Sequence, residues 1–350
     1  MELLPEEIER ECLLRVSYKS HHNLRAVCRS WEAVVKSSRF YQDRKKFGMG
    51  EERICLIQAL PQQHEYKQRS APAYGVTIYD PLKSSWERLP NIPTGFPLFS
   101  NCVCVNQKLV VLGGWNPHTW EDSKAVFVYD FCSCTWKSGT DMPTLQSFCA
   151  CSVSPQGLIY VAGGHDQNKN ALRRAAAYNV EKDKWEVLPD MQSERDECHG
   201  AFLQGKFYVI SGYETQSQGR FERSAQVFDP ETRLWSTLEN MFKFGGSAHA
   251  CVAAFGNLYF FEKDGVMEYD CEGNEWRKVC SLPLDIKNVT RASVWRESVF
   301  LCGSANGSGD TVFYMFRPPS NGEVGSQNWI PVQRPQNYMG FVQSSASLEI

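Results

Sequence analysis

The hydrophobic positions follow two different periods along the chain. Near the N-terminus, apolar residues recur at the spacing of an amphipathic helix, as in Leu24, Val27, Cys28 and Trp31. From Ile54 onward they form short β-branched and aromatic runs that end in small residues, which is typical of buried strands. The predicted organisation has three parts: a small α-helical bundle over residues 2–48, a linker over 49–53 and a mainly β domain over 54–350.

The β domain repeats a unit of about fifty residues. Five tryptophans each follow, seven residues later, an aromatic residue next to Asp or Asn, and they lie 50, 49, 50 and 41 residues apart. The pairs are Tyr79/Trp86, Tyr129/Trp136, Tyr178/Trp185, Phe228/Trp235 and Tyr269/Trp276. Each unit contains a strand before the glycine run, the run itself, the aromatic strand and a short tryptophan strand. Four antiparallel strands in a repeated unit predict a β-propeller blade.

The first repeat lacks its opening strand. Ile54-Cys55-Leu56-Ile57 fits the second strand of a blade, and the helical bundle precedes it. A sixth, less regular unit carries Phe313-Tyr314 as its aromatic pair and Trp329 as its tryptophan. We predict that residues 338–348, which follow this unit, supply the missing strand. This pairing closes six blades into a ring without an open edge.

The di-glycine, Tyr-Asp and Trp positions resemble the kelch repeat in order and spacing. Gly113-Gly114 and Gly163-Gly164 show the di-glycine most clearly, whereas the fifth unit, around Leu258-Tyr259-Phe260-Phe261, has lost it. The resemblance implies a six-bladed kelch β-propeller.

The helical bundle contains a second motif that resembles a known family. Leu4-Pro5, Cys12-Leu13-Leu14 and Val27-Cys28-Arg29-Ser30-Trp31 resemble the F-box in their order. An F-box implies docking onto the Skp-type adaptor of a cullin-RING ubiquitin ligase (SCF). By that motif, eight residues face either the adaptor or the core of the bundle: Leu4, Pro5, Ile8, Leu13, Leu14, Leu24, Val27 and Trp31. The sequence does not separate these two roles, and a helical cap that merely covers the propeller is the alternative.

Composition and charge exclude several classes of function. The net charge of −3 gives no electrostatic footprint for nucleic acid. The acidic N-terminus and the lack of a long apolar run predict neither membrane insertion nor secretion, so we expect a cytoplasmic and/or nuclear protein. The 14 Cys include Cys-x-Cys pairs without zinc-type spacing, and the seven His are dispersed. We therefore expect packing cysteines, no metal, no cofactor and no catalytic residues.

One rim of the propeller is the candidate client surface. In an antiparallel blade, the loops after the second and fourth strands emerge at the same rim. Exposed Trp and Arg are frequent interface anchors. The predicted client-binding residues are Trp115, Trp120, His165, Asp166, Arg195 and Arg220. Packing into the central channel is the alternative for Trp115, and an ion pair between blades is the alternative for Arg195.

Two loop strings go beyond the general kelch pattern. The segments 162–172 and 194–198 look like the plant F-box/kelch-repeat subgroup. Members of that subgroup deliver enzymes of phenylpropanoid and flavonoid synthesis, or cytokinin response regulators, to the proteasome. The resemblance implies a non-catalytic substrate receptor of an SCF ubiquitin ligase that directs a bound client to degradation. The alternative is a non-catalytic kelch interaction scaffold without ubiquitin transfer.

Overall fold

A computed structural model describes residues 5–61, 73–92, 94–244, 246–307, 310–319 and 328–350. Within these residues, a helical bundle precedes six sheets of four antiparallel strands each. The helices are α1 (Glu6–Arg15), α2 (His21–Val27), α3 (Arg29–Lys36) and α4 (Ser38–Lys46). This is the mainly β fold with an α-helical N-terminus that the hydrophobic periods predict.

The six sheets are the blades of a β-propeller, and each is given from its inner to its outer strand. Blades 1 to 3 are β24 (Val342–Glu349), β1 (Glu52–Ala59), β2 (Tyr74–Asp80) and β3 (Ser85–Arg88); β4 (Asn101–Val105), β5 (Lys108–Leu112), β6 (Val126–Asp130) and β7 (Thr135–Gly139); and β8 (Ala150–Val153), β9 (Leu158–Ala162), β10 (Ala175–Asn179) and β11 (Lys184–Leu188). Blades 4 to 6 are β12 (His199–Leu203), β13 (Lys206–Ile210), β14 (Ala225–Asp229) and β15 (Leu234–Leu238); β16 (Cys251–Ala254), β17 (Asn257–Glu262), β18 (Gly265–Asp270) and β19 (Glu275–Cys280); and β20 (Ile286–Trp295), β21 (Ser298–Ala305), β22 (Thr311–Phe316) and β23 (Trp329–Pro331).

The two ends of the β domain meet in blade 1. Strand β24 pairs antiparallel with β1, for example through Leu56 opposite Ser345. The pairing begins at Val342 rather than at residue 338, because Gln336–Tyr338 form a 3-10 turn before the strand. Since blade 1 takes its inner strand from the far end of the chain, no blade edge is left open at this junction.

The di-glycines are required by a close approach of two backbones. Gly114 and Gly164 have φ values of +81° and +80°, in the region that disfavours side chains. A Cβ atom on Gly114 would lie 2.3 Å from the Leu98 carbonyl oxygen, and one on Gly164 would lie 2.2 Å from that of Ser147. Each di-glycine therefore lets its loop cross directly over the segment that enters the same blade.

The repeated tryptophans join neighbouring blades. Each Trp lies directly across the strand pair from its aromatic partner, as Tyr129 does from Trp136. Its Nε1–H then donates to a carbonyl of the segment leaving the preceding blade, as from Trp136 to Pro90 at 2.7 Å. The six donations are Trp86 to Gln333, Trp136 to Pro90, Trp185 to Thr140, Trp235 to Pro189, Trp276 to Met241 and Trp329 to Ser281. The repeat is therefore a device for packing blade against blade.

The sixth pair corrects one detail of the predicted repeat. Trp329 lies opposite Phe316, not opposite Phe313 or Tyr314. Phe313 instead packs towards blade 1, with its ring centroid 5.1 Å from that of Trp86. Phe316 therefore takes the position opposite the tryptophan in this blade.

The prediction of one continuous helix through Leu24 and Trp31 is also wrong. α2 ends at Val27, and Cys28 is extended, with φ −161° and ψ 164°, before α3 begins. Because the chain changes direction at Cys28, Val27 and Trp31 do not share one helical stripe. Val35 of α3 is buried, whereas Val27 is exposed.

The helical bundle shares a hydrophobic cluster with blades 1 and 2. Leu13, Leu14 and Phe40 belong to the same buried cluster as Ile57 and Leu348. A bundle of this size buries little apolar surface by itself. The propeller therefore supplies part of its core.

Candidate adaptor and client surfaces

The structure divides the F-box residues into a buried set and an exposed set. Leu13, Leu14 and Leu24 are 3%, 4% and 9% exposed and belong to the core. Ile8 and Val27 are 48% and 60% exposed, which is unusual for large aliphatic side chains on a small bundle. We call these two exposed side chains, Ile8 of α1 and Val27 of α2, the adaptor surface.

The remaining F-box residues differ in exposure. Pro5 is exposed and precedes α1. Trp31 is half-buried, and its indole N–H donates to the Glu9 carboxylate of α1. Leu4 lies outside the described residues.

A buried carboxylate attaches the bundle to the propeller. Glu51, just before β1, accepts hydrogen bonds from Arg44 at 2.9 Å and from the backbone N–H of Tyr18 at 2.6 Å, and it also pairs with Arg53. Burial opposes the charged form, but these donors outweigh it and lower the pKa of Glu51 to about 2. The bundle also reaches blade 2, since the Tyr18 hydroxyl donates to the Phe131 carbonyl at 3.2 Å. It is therefore held on the rim formed by the loops after the first and third strands.

The opposite rim gathers the loops after the second and fourth strands. In three consecutive blades, an isolated β-bridge joins the residue after the glycine run to the segment entering that blade. These bridges are Leu98 with Trp115, Ser147 with His165, and Asp196 with Tyr213. The predicted client-binding residues around them lie on the side away from the bundle.

Trp115 lies at the centre of an aromatic cluster on this rim. Its ring centroid is 5.2 Å from that of Phe99, 6.0 Å from Phe148, 6.2 Å from His165 and 6.5 Å from Trp120. The ammonium of Lys169 lies 4.5 Å from the Trp115 ring centroid, within the range of a cation–π contact. Trp120 is 53% exposed, whereas Trp115 is half-buried. We call this cluster, with its exposed Trp120, the client surface.

His165 supports the cluster from beneath. It is buried, with Nδ1 2.9 Å from an Asp196 carboxylate oxygen and Nε2 3.8 Å from Asp122. Ser147 donates its hydroxyl to the same Asp122. The imidazole stacks on Phe148, at 5.3 Å between centroids. These contacts hold the aromatic rings in place and leave His165 little surface for a client.

Arg195 has a different role from the predicted ones. It is 2% exposed and donates to the carbonyls of Ser211 at 2.8 Å and Ser224 at 3.0 Å. Burial lowers its pKa. Its hydrogen bonds go to these carbonyls and to the Ser224 hydroxyl, and not to a carboxylate, so it forms neither an exposed anchor nor the expected ion pair. It secures the segment between β11 and β12 against blade 4.

Asp166 and Arg220 lie nearer to solvent. The Asp166 carboxylate accepts backbone N–H bonds from Asn168 at 2.8 Å and Asn170 at 3.0 Å, which shape the loop that carries Lys169. Arg220 is exposed. Of the six predicted client-binding residues, the structure thus leaves Trp120 and Arg220 exposed and buries His165 and Arg195.

The sequence analysis did not identify Phe99 and Phe148. Both have positive φ values, 57° and 55°, and both lie just before an inner strand. Their ring centroids are 5.0 Å apart in a stacked arrangement. An aromatic residue at the same position of two consecutive repeats is the signal that would have indicated them.

Other classes of site were sought among the described residues. No three His, Cys, Asp or Glu side chains there are grouped closely enough to hold a metal ion. All 14 Cys are free thiols, and burial raises the pKa of Cys102 and Cys149 to about 12. No helix of the described segments has the length and apolar character required to cross a bilayer.

The fold and its two opposite surfaces define a kelch-type β-propeller with a helical docking module fixed to one rim. Residues 66–265 match the KLHDC2/KLHL20/DRC7 Kelch-repeats domain, and residues 1–43 match the F-box domain. The chain belongs to the plant F-box/kelch-repeat family.

Curated relatives support this assignment over nearly the full length. The chain is 36% identical to F-box/kelch-repeat protein At1g15670 of Arabidopsis thaliana, covering 99% of this chain and 98% of that protein. It is 31% identical to F-box/kelch-repeat protein SKIP20 of Arabidopsis thaliana, covering 99% and 96%. Among solved structures, the one titled "Structure of YjhT" matches with a TM-score of 0.57 and 13% identity, over 74% of this chain and 91% of that one. This last likeness concerns the fold alone.

Proposed function

We propose that this chain is the substrate-recognition subunit of an SCF ubiquitin ligase. The adaptor surface binds a Skp-type adaptor, and through it the cullin-RING assembly, while the client surface holds a protein to be ubiquitinated. The observation that supports this most is the placement of the two surfaces on opposite rims. Both partners can then bind at once, and the rigid attachment through Glu51 keeps their separation constant.

The chain itself performs no chemistry in this proposal. Its contribution is proximity, because a client held near the ubiquitin-charged enzyme presents its lysines at a high effective concentration. Cellular residence in the cytoplasm and/or the nucleus is part of the same proposal, since clients and ligase must meet there.

Adaptor binding is assigned to the exposed apolar residues. Ile8 and Val27, with Pro5 and the edge of Trp31, offer apolar surface that the bundle itself does not cover. Leu13 and Leu14 are core residues, so their truncation would unfold the bundle and would not test adaptor contact specifically.

Client binding is assigned first to Trp120. A Trp that is 53% exposed beside further aromatic rings is typical of an interface anchor. Trp115, Lys169 and Arg220 extend the surface, and the Asp166 loop positions Lys169. His165 and Arg195 enter the proposal as residues that position this surface.

The most specific part of the proposal concerns the identity of the client. The strings at 162–172 and 194–198 resemble the subgroup that acts on enzymes of phenylpropanoid and flavonoid synthesis. The first carries His165 and Lys169, which contact Trp115, and the second carries Asp196, which pairs with His165. We place such an enzyme first among candidate clients and a cytokinin response regulator second.

The decisive experiment separates adaptor binding from folding. The double variant Ile8→Asp/Val27→Asp places two charges on the adaptor surface, and Val187→Asp, on the exposed outer strand β11, is the matched control. We expect the double variant to keep its melting temperature and to lose a recombinant Skp-type adaptor in pull-down, while the control retains it. In cells, clients captured under proteasome inhibition should then live longer with the double variant.

Two outcomes would contradict the proposal. A wild-type chain that binds no Skp-type adaptor would exclude the ligase role. A double variant that loses the adaptor but leaves client lifetime unchanged would favour the alternative, a kelch scaffold without ubiquitin transfer.

A further inference from the structure

The central channel opens at the client surface into a cavity of about 540 Å³. Its walls come from the inner strands of the propeller, and three phenylalanines that precede inner strands line it: Phe99, Phe148 and Phe341. Gln343 of β24 fixes one of these positions, because its side-chain oxygen accepts the backbone N–H of Phe99 at 3.0 Å. Its amide nitrogen donates to the Pro97 carbonyl at 3.0 Å. The aromatic edge of the cavity is therefore held by the strand that closes the ring.

Blade 5 leaves this cavity accessible. Its second and third strands are joined by a tight turn, with Glu262 paired to Gly265 and only Lys263 and Asp264 between them. Blades 2 to 4 carry longer glycine-containing loops at the equivalent position. Of the residues that form this short turn, only Glu262 and Lys263 line the cavity.

Arg291 of β20 is half-buried and introduces a charge into the cavity wall. Its Nε donates to the Gln343 carbonyl at 2.7 Å, and its Nη1 donates to the Thr290 carbonyl at 2.6 Å. Both acceptors are neutral, and Nη2 has no hydrogen-bond partner among the described residues. Burial lowers the pKa of Arg291 to about 10, and no carboxylate is among the described groups that act on it. The guanidinium remains protonated at neutral pH without a counter-ion from these groups.

The other ionisable groups in the lining do not cancel this charge. His199 and His249 face each other with ring centroids 6.4 Å apart. Burial lowers the pKa of His199 to about 4 and that of His249 well below its usual value, and the charge of Arg291 acts in the same direction. Both imidazoles are therefore neutral at pH 7. Glu262 and Lys263 carry opposite charges, so the positive charge of Arg291 dominates the lining.

A half-buried cation without a carboxylate partner favours an anion that can enter the cavity and pair with it. Guanidinium groups bind carboxylates with strong, charge-assisted hydrogen bonds. The cavity volume lies in the range of small-molecule sites, roughly 300–1,000 Å³, which combine apolar walls with a few polar groups. A ligand that satisfies both features has one anionic end and one apolar, preferably flat, body.

We propose that this cavity binds a small organic acid, whose carboxylate pairs with Arg291 and whose apolar body contacts Phe99, Phe148 and Phe341. Phe99 and Phe148 belong to the cavity and to the client surface at once. An occupied cavity would therefore support the rings on which the client rests. The ligand site itself stands independently of the proposed ligase role, because it needs neither adaptor nor client.

The test measures binding of 2-naphthoate and of its neutral amide, 2-naphthamide, to the full chain by calorimetry or ligand-observed NMR. We expect the acid to bind about tenfold or more tightly than the amide, the ratio that one charge-assisted hydrogen bond provides. Arg291→Gln should remove this preference. Arg233→Gln, which changes an exposed guanidinium paired with Glu186 on the outside of the propeller, should retain it.

A second variant guards against a folding defect. Arg291→Lys keeps the positive charge but loses the planar set of N–H donors of the guanidinium. This variant should therefore retain part of the preference for the acid. Absence of binding by both probes, or equal binding of acid and amide to the wild type, would overturn the proposal. Acid binding that Arg291→Gln leaves unchanged would overturn it as well.

A peptide pair distinguishes the source of the carboxylate. The blocked tripeptides N-acetyl-Phe-Glu-Phe-amide and N-acetyl-Phe-Gln-Phe-amide present the same chemistry within a protein segment. If only the peptides show the Arg291-dependent preference, the cavity receives a client side chain, and the small-acid proposal is wrong.

Discussion

Arg44 and Glu51 connect the helical bundle to the propeller through a buried ion pair. The Nη2 atom of Arg44 lies 2.9 Å from Oε1 of Glu51, and the two side chains are 2% and 15% exposed. Arg44 also donates to the carbonyls of Leu14 and Val16, which close the end of α1. One carboxylate thus ties together the last helix, the end of the first helix and the start of β1. This connection attaches the helical bundle to blade 1.

Glu51 should make stability depend on acid pH. Its pKa is about 2 in the folded chain and about 4.5 when unfolded, so its contribution is present above pH 4.5 and is lost as the pH falls from there towards 2. We expect Glu51→Gln to lower the free energy of unfolding at pH 7 by up to about 3 kcal/mol. Below pH 4.5, the free energy of unfolding of this variant should change less with pH than that of the wild type. Urea unfolding at a series of pH values measures both.

The matched control is Glu11→Gln, which removes an ion pair with Arg15 whose side chains are 60% and 63% exposed. Such a pair contributes roughly 0–1 kcal/mol. Equal effects of the two substitutions would show that Glu51 has no special role at the junction.

Gly164 should be far less tolerant of substitution than Gly205. Both have strongly positive φ values, +80° and +78°, so alanine costs about 1–2 kcal/mol of backbone strain at either position. At Gly205 nothing lies within 4 Å of the added Cβ, whereas at Gly164 the Ser147 carbonyl oxygen lies 2.2 Å away. We expect Gly164→Ala to lose more than about 4 kcal/mol in thermal or urea unfolding. Similar losses for both variants would contradict the close-approach explanation.

Trp185 and Trp120 should separate stability from client binding. Trp185 donates its indole N–H to Thr140 of the preceding blade at 2.8 Å, so Trp185→Phe should cost about 1 kcal/mol and leave client capture intact. Trp120→Ala removes an exposed ring and should change stability by less than about 0.5 kcal/mol. It should reduce client affinity by about tenfold or more.

Melting temperatures and client pull-down from the same preparations check both expectations. If Trp120→Ala captured clients as well as the wild type does, the client surface would have to be placed elsewhere.

Removal of the closing strand should destroy the cooperative fold. A chain that ends at Arg334 lacks β24, so β1 becomes an open edge and the inner wall of blade 1 is lost. We expect no cooperative thermal transition for this truncated chain. Glu349→Gln, which keeps the strand and removes only its pair with Lys45, should melt within a few degrees of the wild type. A truncated chain that melts like the full chain would contradict the closure.

The repeat was predictable because it depends on local chemistry. An aromatic strand and a tryptophan strand recur along the repeat, glycines with positive φ follow the second strand in blades 2 to 4, and each feature has its own short-range signature. The aromatic position of the sixth blade was predicted wrongly. There Trp329 lies opposite Phe316, while Phe313 packs against Trp86 of another blade. Long-range packing of this kind leaves no trace in the local pattern.

The sites were less predictable for the same reason. His165 and Arg195 look like surface residues in the sequence, yet contacts with Asp196, Ser211 and Ser224 bury them. The sequence around Arg291 has no feature that sets it apart from other strands. Arg291 lines a cavity only because the six inner strands converge around it.

The six-bladed repeat, the helical module and the family could be read from the amino-acid sequence, because turn conformation and strand alternation act over a few residues. The tertiary structure alone decided which apolar residues of the bundle stay outside, since the burial of Leu13 and the exposure of Val27 depend on where the propeller covers the helices. It also decided that Arg291 faces a cavity without a carboxylate partner among the described residues, because charge compensation depends on residues that are distant along the chain.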